Sequence, residues 1–431
     1  MAANLKEEFS FSSLPLLFDE KLQSFGCKLE EVESSFVHAT TSTTSFFKTC
    51  FNGLNALSGV GILSVPYAVA SGGWLSLTLL LTIAIVVFYT GILVQRCMEF
   101  DSDIRSYPDI GKRAFGNKGR TVLSIIMLMD LYLCAIVFLI LEGDNLYNLF
   151  PNNGLQISGI AVDGKQCFVV IVGIVILPSL WLDNLSLLSY VSASGVLASA
   201  IILVSILWTG AFEGVGFHHE GKLLNLPGIP TAVSLFAFCY SAHPVIPTLY
   251  NSIENKRQFS NVLILCFTVC TLGYITMAIF GYLMFGSSVE SQITLNLPVG
   301  KLSSRIAIYT TLVAPIAKYP MAVTPIVDAA MNYCPSHVSK RLFGILVSTA
   351  LLIGSITVAL VLPFLADLMS LVGAFLGIAA SIIVPCVCYL KICGDQIYRC
   401  EMVAVGCVIL FGFVVLVFGT YTSITEVVGE F

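Results

Sequence analysis

Charge is scarce in this chain. Only 11% of its 431 residues are Asp, Glu, Lys or Arg, where a soluble domain carries about 25%. That scarcity excludes a soluble protein with a solvated surface. No run of basic residues and no basic–aromatic interleaving occurs, so there is no nucleic-acid partner to expect. Also missing are Gly-x-Ser-x-Gly, His-Glu-x-x-His, a phosphate loop and paired carboxylates in a solvent-accessible stretch, which leaves enzymatic chemistry without support. The fourteen cysteines are scattered, and Cys386-Val-Cys388 lacks metal-site spacing. They read as small apolar packing residues, with no metal, no cofactor and no disulfide expected.

What the chain has instead is apolar length. Hydrophobic residues make up 57% of it, and the mean hydropathy is +0.90. Crossing about 30 Å of hydrocarbon at 1.5 Å per residue takes about 20 apolar residues. Eleven candidate spans follow, at 46–70, 74–98, 120–142, 166–183, 187–211, 229–251, 260–285, 304–328, 341–362, 366–390 and 402–422. Turn signals separate them, among them Gly72-Gly73, Ser106-Tyr-Pro108-Asp109 and Pro151-Asn-Asn-Gly154. Residues 1–45 hold seven acids against three lysines and no sustained apolar run, which reads as a disordered tail. That tail lacks the basic start and apolar core of a cleaved signal peptide. Residues 423–431 form a short tail on the other side.

Lys and Arg set the orientation. With the N-terminus in the cytosol, sixteen of the twenty-one fall on the cytosolic side. Four (Lys165, Lys222, Lys301, Arg305) fall opposite, and Lys318 lies inside a span. The sequon Asn184-Leu-Ser186 then sits in a cytosolic loop and stays unmodified.

Two spans break in the middle. The first contains Asn55-Ala-Leu-Ser58-Gly59-Val-Gly61-Ile-Leu-Ser-Val-Pro66-Tyr67, and the sixth contains Phe238-Cys-Tyr240-Ser241-Ala-His243-Pro244-Val-Ile-Pro247. Backbone freed at that depth cannot face lipid; it is buried in protein or lines a polar cavity. A single intramembrane Pro or Gly is usually only a kink. Two breaks at equivalent places in two five-span halves point to an inverted-repeat carrier with its site at the repeat interface. The halves are assigned to about 46–211 and 229–390, with an extra helix at 402–422.

The residues Asn55-Ala-Leu-Ser-Gly-Val-Gly-Ile-Leu-Ser-Val-Pro-Tyr-Ala68, followed by Gly72-Gly73-Trp74, resemble the first-span signature of the amino acid/auxin permease family. Ser106-Tyr-Pro-Asp-Ile-Gly-Lys-Arg-Ala-Phe-Gly116 resembles its loop after the second span, and Lys318-Tyr-Pro-Met-Ala-Val-Thr-Pro325 its eighth span. The likeness covers nearly everything from Phe46 to Tyr421 and is nearest to the vacuolar amino acid transporters of plants and fungi. It implies an all-α membrane protein of eleven helices with the leucine-transporter fold: ten core helices in two inverted repeats, plus one. It also implies amino acid transport, commonly coupled to protons.

A zwitterionic substrate needs amide donors for its carboxylate and acceptors for its ammonium. Unwinding near Asn55, Ser58, Gly59 and Gly61 exposes amides at a helix N-terminus, which suit a carboxylate. Carbonyls near Phe238, Tyr240 and Ser241 suit the ammonium. By resemblance the third span supplies a wall, through Asp130 or Tyr132. Asp130 reads either as a substrate or proton ligand or as a buried partner of a hydroxyl or lysine. In the related fold the first and eighth spans together hold a sodium ion. At that place Lys318 would stand as a fixed, titratable cation, which favours proton over sodium coupling. The competing reading pairs Lys318 with Asp130 or sends it to an interface. His243 suits a proton switch or a hydrogen-bonded support of the broken helix. Leu54 and Leu57 are assigned to the ion-coupling site with Lys318 and His243. Asp328 and Asp367 read as span-end residues, and Glu142 and Asp144 as a solvated rim.

The missing nucleotide-binding motif leaves an ion gradient as energy source. Beside a secondary amino acid carrier stand a carrier of another organic acid such as auxin, and an amino acid sensor on the same fold. The expected partners are an amino acid, protons and the lipid bilayer, around a monomer. The resemblance and a faint dileucine signal, Leu14-Pro-Leu16-Leu17, favour a vacuolar over a plasma membrane. Neither antiport nor symport is selected.

Overall fold

A computed structural model describes residues 44–151, 155–157, 160–162, 164–181, 188–217, 221–331, 333–335, 338–394 and 397–429. The acidic tail with its dileucine, the sequon at Asn184 and the last two residues lie outside them. Ten described helices are long and apolar enough to cross a membrane, and a bent pair makes an eleventh. In order they are the pair Phe46–Leu57 and Gly61–Gly72, then Ser76–Phe100, Tyr107–Leu149, Gly164–Trp181, Leu188–Phe212, Leu226–Ser252, Phe259–Phe285, Leu302–Met331, Lys340–Val361, Leu365–Cys393 and Arg399–Gly429. Two short strands, β1 (Leu155–Ile157) and β2 (Ile160–Val162), pair antiparallel between the third and fourth spans. The eleventh span shows large apolar side chains outward, among them Phe413, Val417 and Phe418, as lipid requires of a peripheral helix.

The third span departs most from expectation. The stretch Ser106–Gly116, which resembles a loop, is helical and runs on into a 43-residue element, Tyr107–Leu149, folded back at Gly116, whose φ is +68°. Ser106 caps it. The backbone amide of Ser106 donates to the Asp109 carboxylate at 2.9 Å, and Pro108 stands in the first turn, where its missing N–H costs nothing. Ser-x-x-Asp is a capping-box pattern, so the signal was present in the sequence. At the turn Gly111 and Gly119 pack backbone to backbone; a Cβ on Gly111 would lie 2.7 Å from the Gly119 carbonyl oxygen.

The first and sixth spans lie side by side and are clasped at both ends. On the N-terminal side, the Thr44 amide donates to Ser252 O at 2.7 Å, and the Glu254 amide donates back to Thr44 O at 3.1 Å. On the opposite side, the Trp74 and Leu75 amides donate to Lys222 O and Leu223 O at 3.0 Å each, and the Asn225 amide donates to Gly72 O at 3.0 Å. Gly73 makes the second clasp possible. Its φ is +83°, and a Cβ there would meet the Leu223 backbone at 2.9 Å.

The tenth span closes over the sixth through two π-helical stretches, Gly373–Gly377 and Ala379–Ile383. Gly373 sits directly against the backbone of the sixth span. A Cβ there would overlap the Ser234 carbonyl oxygen and lie 2.7 Å from the Phe238 nitrogen. Gly373→Ala is therefore expected to destabilise the protein by about 2 kcal/mol or more, read as a fall in melting temperature in detergent. Gly406→Ala, on an open face of the eleventh span with nothing within 4 Å, is expected to leave it unchanged.

Candidate functional site

The first span ends its first helix at Leu57, and the second begins at Gly61, with a bend of 48° between them. Over the break the Ser58 amide donates to Leu54 O at 2.7 Å and the Gly59 amide to Leu57 O at 2.9 Å. The opening amides of the second helix have no acceptor of their own helix and carry the positive end of its dipole. Ser58, Gly59 and Val60 are partly exposed although they lie mid-span, and a Cβ on Gly59 would meet nothing within 4 Å. Open space thus adjoins the free amides.

The sixth span stops its helix at Cys239, passes through Tyr240–Ala242, and resumes through a tight turn at His243–Val245 into Ile246–Ser252. Pro244 and Pro247 fall in the first positions of these new elements. There a missing donor is tolerated, while the residue before a proline is steered away from helix. Unlike the first span, the sixth runs as one 27-residue span, Leu226–Ser252, across its break. Phe238 and Ser241 are partly exposed, and the Ser241 hydroxyl has no hydrogen-bond partner among the described residues. The two breaks touch. A Cβ on Gly61 would lie 2.7 Å from Cys239 Sγ and 3.2 Å from its Cα, so only glycine lets the backbones come this close.

Lys318 reaches the first break from the eighth span. Its ammonium donates to the Ser58 carbonyl at 3.4 Å. That helix continues through Pro315, Pro320 and Pro325. On the fifth span, Gly195 provides room for both partners. A Cβ there would run into Asn55 Oδ1 and sit 3.6 Å from Lys318 Cε. Asn55 Oδ1 is a buried acceptor without a partner among the described residues. Ser199, one turn further along the fifth span, shares a 3.1 Å hydrogen bond with Ser58 Oγ. A cavity of about 370 Å³ runs between the fifth and eighth spans beside this group, lined by Ser194, Gly195, Ala198, Val313, Ala317 and Lys318.

Sequence reasoning missed Gly195 and Ser199, because nothing local marks a small residue on an uninterrupted span as a site wall. It also missed Tyr274 of the seventh span. That hydroxyl lies against Leu57 O and is 3.1 Å from Cys239 O, the last helical carbonyls before the two breaks.

Other expected residues point elsewhere. Leu54 O and Leu57 O are occupied by the Ser58 amide and by Gly59 and Tyr274, not by Lys318. Tyr240 turns to the seventh span, where its hydroxyl meets Thr271 at 2.8 Å and its ring stacks on Phe267. His243 is fully buried, with Nε2 3.0 Å from the Thr90 hydroxyl of the second span. Since Thr90 Oγ1 also has Val87 O and Ser381 O in reach, its one proton goes to a carbonyl and Nε2–H donates to it. Tyr132 faces the ninth span, where a Cβ on Gly354 would lie 2.7 Å from its hydroxyl. Asp130 is buried, with Oδ1 unpartnered among the described residues. Glu142 and Asp144 do not form a solvated rim: both are at most 3% exposed, and Asp144 pairs with Lys165 at 2.8 Å. The long third helix carries them inward. Among the described residues no group of His, Cys, Asp and Glu could hold a metal.

The model of the transmembrane amino acid transporter protein family matches residues 42–425. The chain is 59% identical to amino acid transporter AVT1J of Arabidopsis thaliana over 90% of its own length and 92% of that protein. It is 54% identical to AVT1I of the same plant, covering 93% of this chain and all of that one. The vesicular GABA transporter of Caenorhabditis elegans is 26% identical, over 93% of this chain and 83% of its own. Among solved structures, MhsT in complex with L-phenylalanine superimposes with a TM-score of 0.53 at 14% identity, covering 87% of this chain and 99% of that one. The fold is thus the leucine-transporter fold, and the relatives are transporters rather than enzymes. The chain belongs to the transmembrane amino acid transporter family.

Proposed function

We propose that this protein is a secondary active carrier of amino acids, coupled to protons, working by alternating access around the two breaks. The observation that carries the reading is the Lys318 ammonium 3.4 Å from the Ser58 carbonyl, at the place where resemblance to the fold implies a sodium ion between the first and eighth spans. A partly buried lysine is the side chain proposed to lose and regain its charge there. Asn55 Oδ1, buried and without a partner among the described residues, offers an acceptor next to it. The free amides after Gly59 suit the substrate carboxylate, and the carbonyls around Phe238 and Ser241 suit its ammonium. Asp130 is proposed as a wall residue of the third span. Tyr240 and His243 are proposed as supports of the broken sixth helix, because their contacts run to the seventh and second spans, and Tyr132 as a packing contact between the third and ninth spans.

The two halves, about 46–211 and 229–390, are proposed as the inverted repeats, and the balance of Lys and Arg supports a cytosolic N-terminus. The names of the Arabidopsis relatives say amino acid transport. The family resemblance leans to the vacuole, whose acidic lumen would supply the proton gradient.

Uptake of a radiolabelled amino acid panel into proteoliposomes tests this. A pH gradient is expected to drive uptake in the wild type, a sodium gradient is not, and Lys318→Ala is expected to lose the pH-driven component. Sodium-driven uptake, or a Lys318→Ala protein that keeps full pH-driven uptake, would discard the coupling role. Competition by an unlabelled indole acid, stronger than by any amino acid, would move the substrate to that class. Mass analysis of the protein from a eukaryotic host is expected to find Asn184 free of glycan; a glycan there would reverse the orientation.

A further inference from the structure

The carbonyls of Leu57 and Cys239 end the two half-helices that face each other at the middle of the membrane. Each lies at the negative end of its helix dipole, worth about half an elementary charge. Two such ends pointing at one spot in a dry interior demand a positive partner. In broken-helix carriers these carbonyls commonly coordinate a mobile sodium ion or proton. Here the spot is occupied by part of the chain. The Tyr274 hydroxyl touches both carbonyls, and Tyr274 is 1% exposed.

The ring is held firmly in that position. Tyr240 packs edge-on at 5.3 Å between centroids, and it is itself anchored on Thr271 at 2.8 Å and stacked on Phe267. At this level the start of the second helix of span one packs closely on Cys239 at the end of the sixth span's first helix. We propose that Tyr274 is a positioning residue that takes the place of a cation between the two breaks. Its single phenolic proton is shared by two carbonyls that would otherwise bind a small monovalent ion, and this makes the junction of the breaks independent of sodium. It goes beyond the coupling role of Lys318, which lies on the eighth-span side of the first break, and it rests on the carrier reading only for its transport readout.

Tyr274→Phe removes the oxygen and keeps the ring. Cys239 O then loses its donor and Leu57 O keeps only the Gly59 amide, so both turn a free lone pair to the space the hydroxyl leaves. The expected result in proteoliposomes is a fall in amino acid uptake of about tenfold or more in choline buffer, with partial recovery when sodium or lithium replaces choline. The wild type is expected to be indifferent to the exchange. In detergent, without transport, sodium is expected to raise the melting temperature of Tyr274→Phe and leave that of the wild type unchanged. Tyr240→Phe, which removes only the bond to Thr271, is the control and is expected to gain no sodium response. A Tyr274→Phe protein with wild-type uptake, or one without a sodium effect on melting, would overturn the assignment. So would a sodium-dependent melting temperature in the wild type, a measurement that stands even where the variant fails to fold. Absence of all amino acid uptake in the wild type would count against the carrier reading alone, since the melting comparison still decides the role of Tyr274.

Discussion

The architecture depends on a close contact between two helices that are each incomplete. The first and sixth spans run together and are joined at three heights: Thr44 with Ser252 and Glu254 on one side, Gly61 with Cys239 in the middle, and Gly72 to Leu75 with Lys222 to Asn225 on the other. An interrupted helix in a membrane has to satisfy the backbone groups it frees without water. The pair solves this by mutual support, since the seventh-span hydroxyl that meets the end of one broken helix also meets the end of the other. Glycine is required where the backbones approach most closely. A side chain at Gly73 or Gly373 would strike main-chain atoms, which cannot swing away as the end of a flexible side chain can, and one at Gly61 would strike Cys239 Sγ and press on its Cα at 3.2 Å.

Around this pair the remaining spans act as walls with distinct roles. The tenth span follows the sixth through its π-helical stretches, whose wider turns let Gly373 and Gly377 come close to the break, and such bulges tend to accompany functional sites. The seventh span supplies Tyr274, and the fifth supplies Gly195 and Ser199. The eighth span accommodates three prolines, Pro315, Pro320 and Pro325, each of which removes the helical donor of the carbonyl four residues earlier, at Thr311, Ile316 and Met321. Rigid spans thus surround a centre in which only short segments, Ser58–Val60 and Tyr240–Ala242, leave helical geometry.

The number of spans and the positions of both breaks were legible in the sequence, for a simple physical reason. Apolar length and Gly/Pro punctuation act locally, and lipid allows few alternatives to a continuous helix. That Ser58, Gly59, Gly61 and Ser241 fall at or beside the breaks was legible on the same ground. The place of Lys318 inside the eighth span was legible from apolar length alone, and its role is the proposal above. Direction was not legible. Tyr240 and Ser241 are neighbours in sequence, yet one turns to Thr271 while the other, beside the tenth span, has a hydroxyl without a partner among the described residues. At a break the period that would sort them by face is lost. Tyr274 carried no local signal either, since one tyrosine in an apolar run reads as packing. The third-span hairpin is a different kind of miss: Ser106-x-x-Asp109 is a capping pattern, but Ser106-Tyr-Pro108-Asp109 equally fits a turn between spans.

Taken together, the proposed roles of Lys318 and Tyr274 give a consistent account of charge at the centre. The break presents several carbonyl oxygens to a space of low dielectric, where their partial charges are strong. A carrier of this fold can neutralise them with ions from solution or with groups of its own. An ion must be recruited from water at a cost in translational freedom and desolvation, and in return it can leave. A tethered group avoids the cost of recruitment but cannot leave, so it can serve coupling only by exchanging a proton. The two tethered groups here differ in just that capacity. Lys318 is the group proposed to exchange a proton, whereas the Tyr274 phenol holds a single proton between two carbonyls. The two proposals thus separate two functions: in the proposed scheme Tyr274 joins the breaks and Lys318 is the group that changes charge.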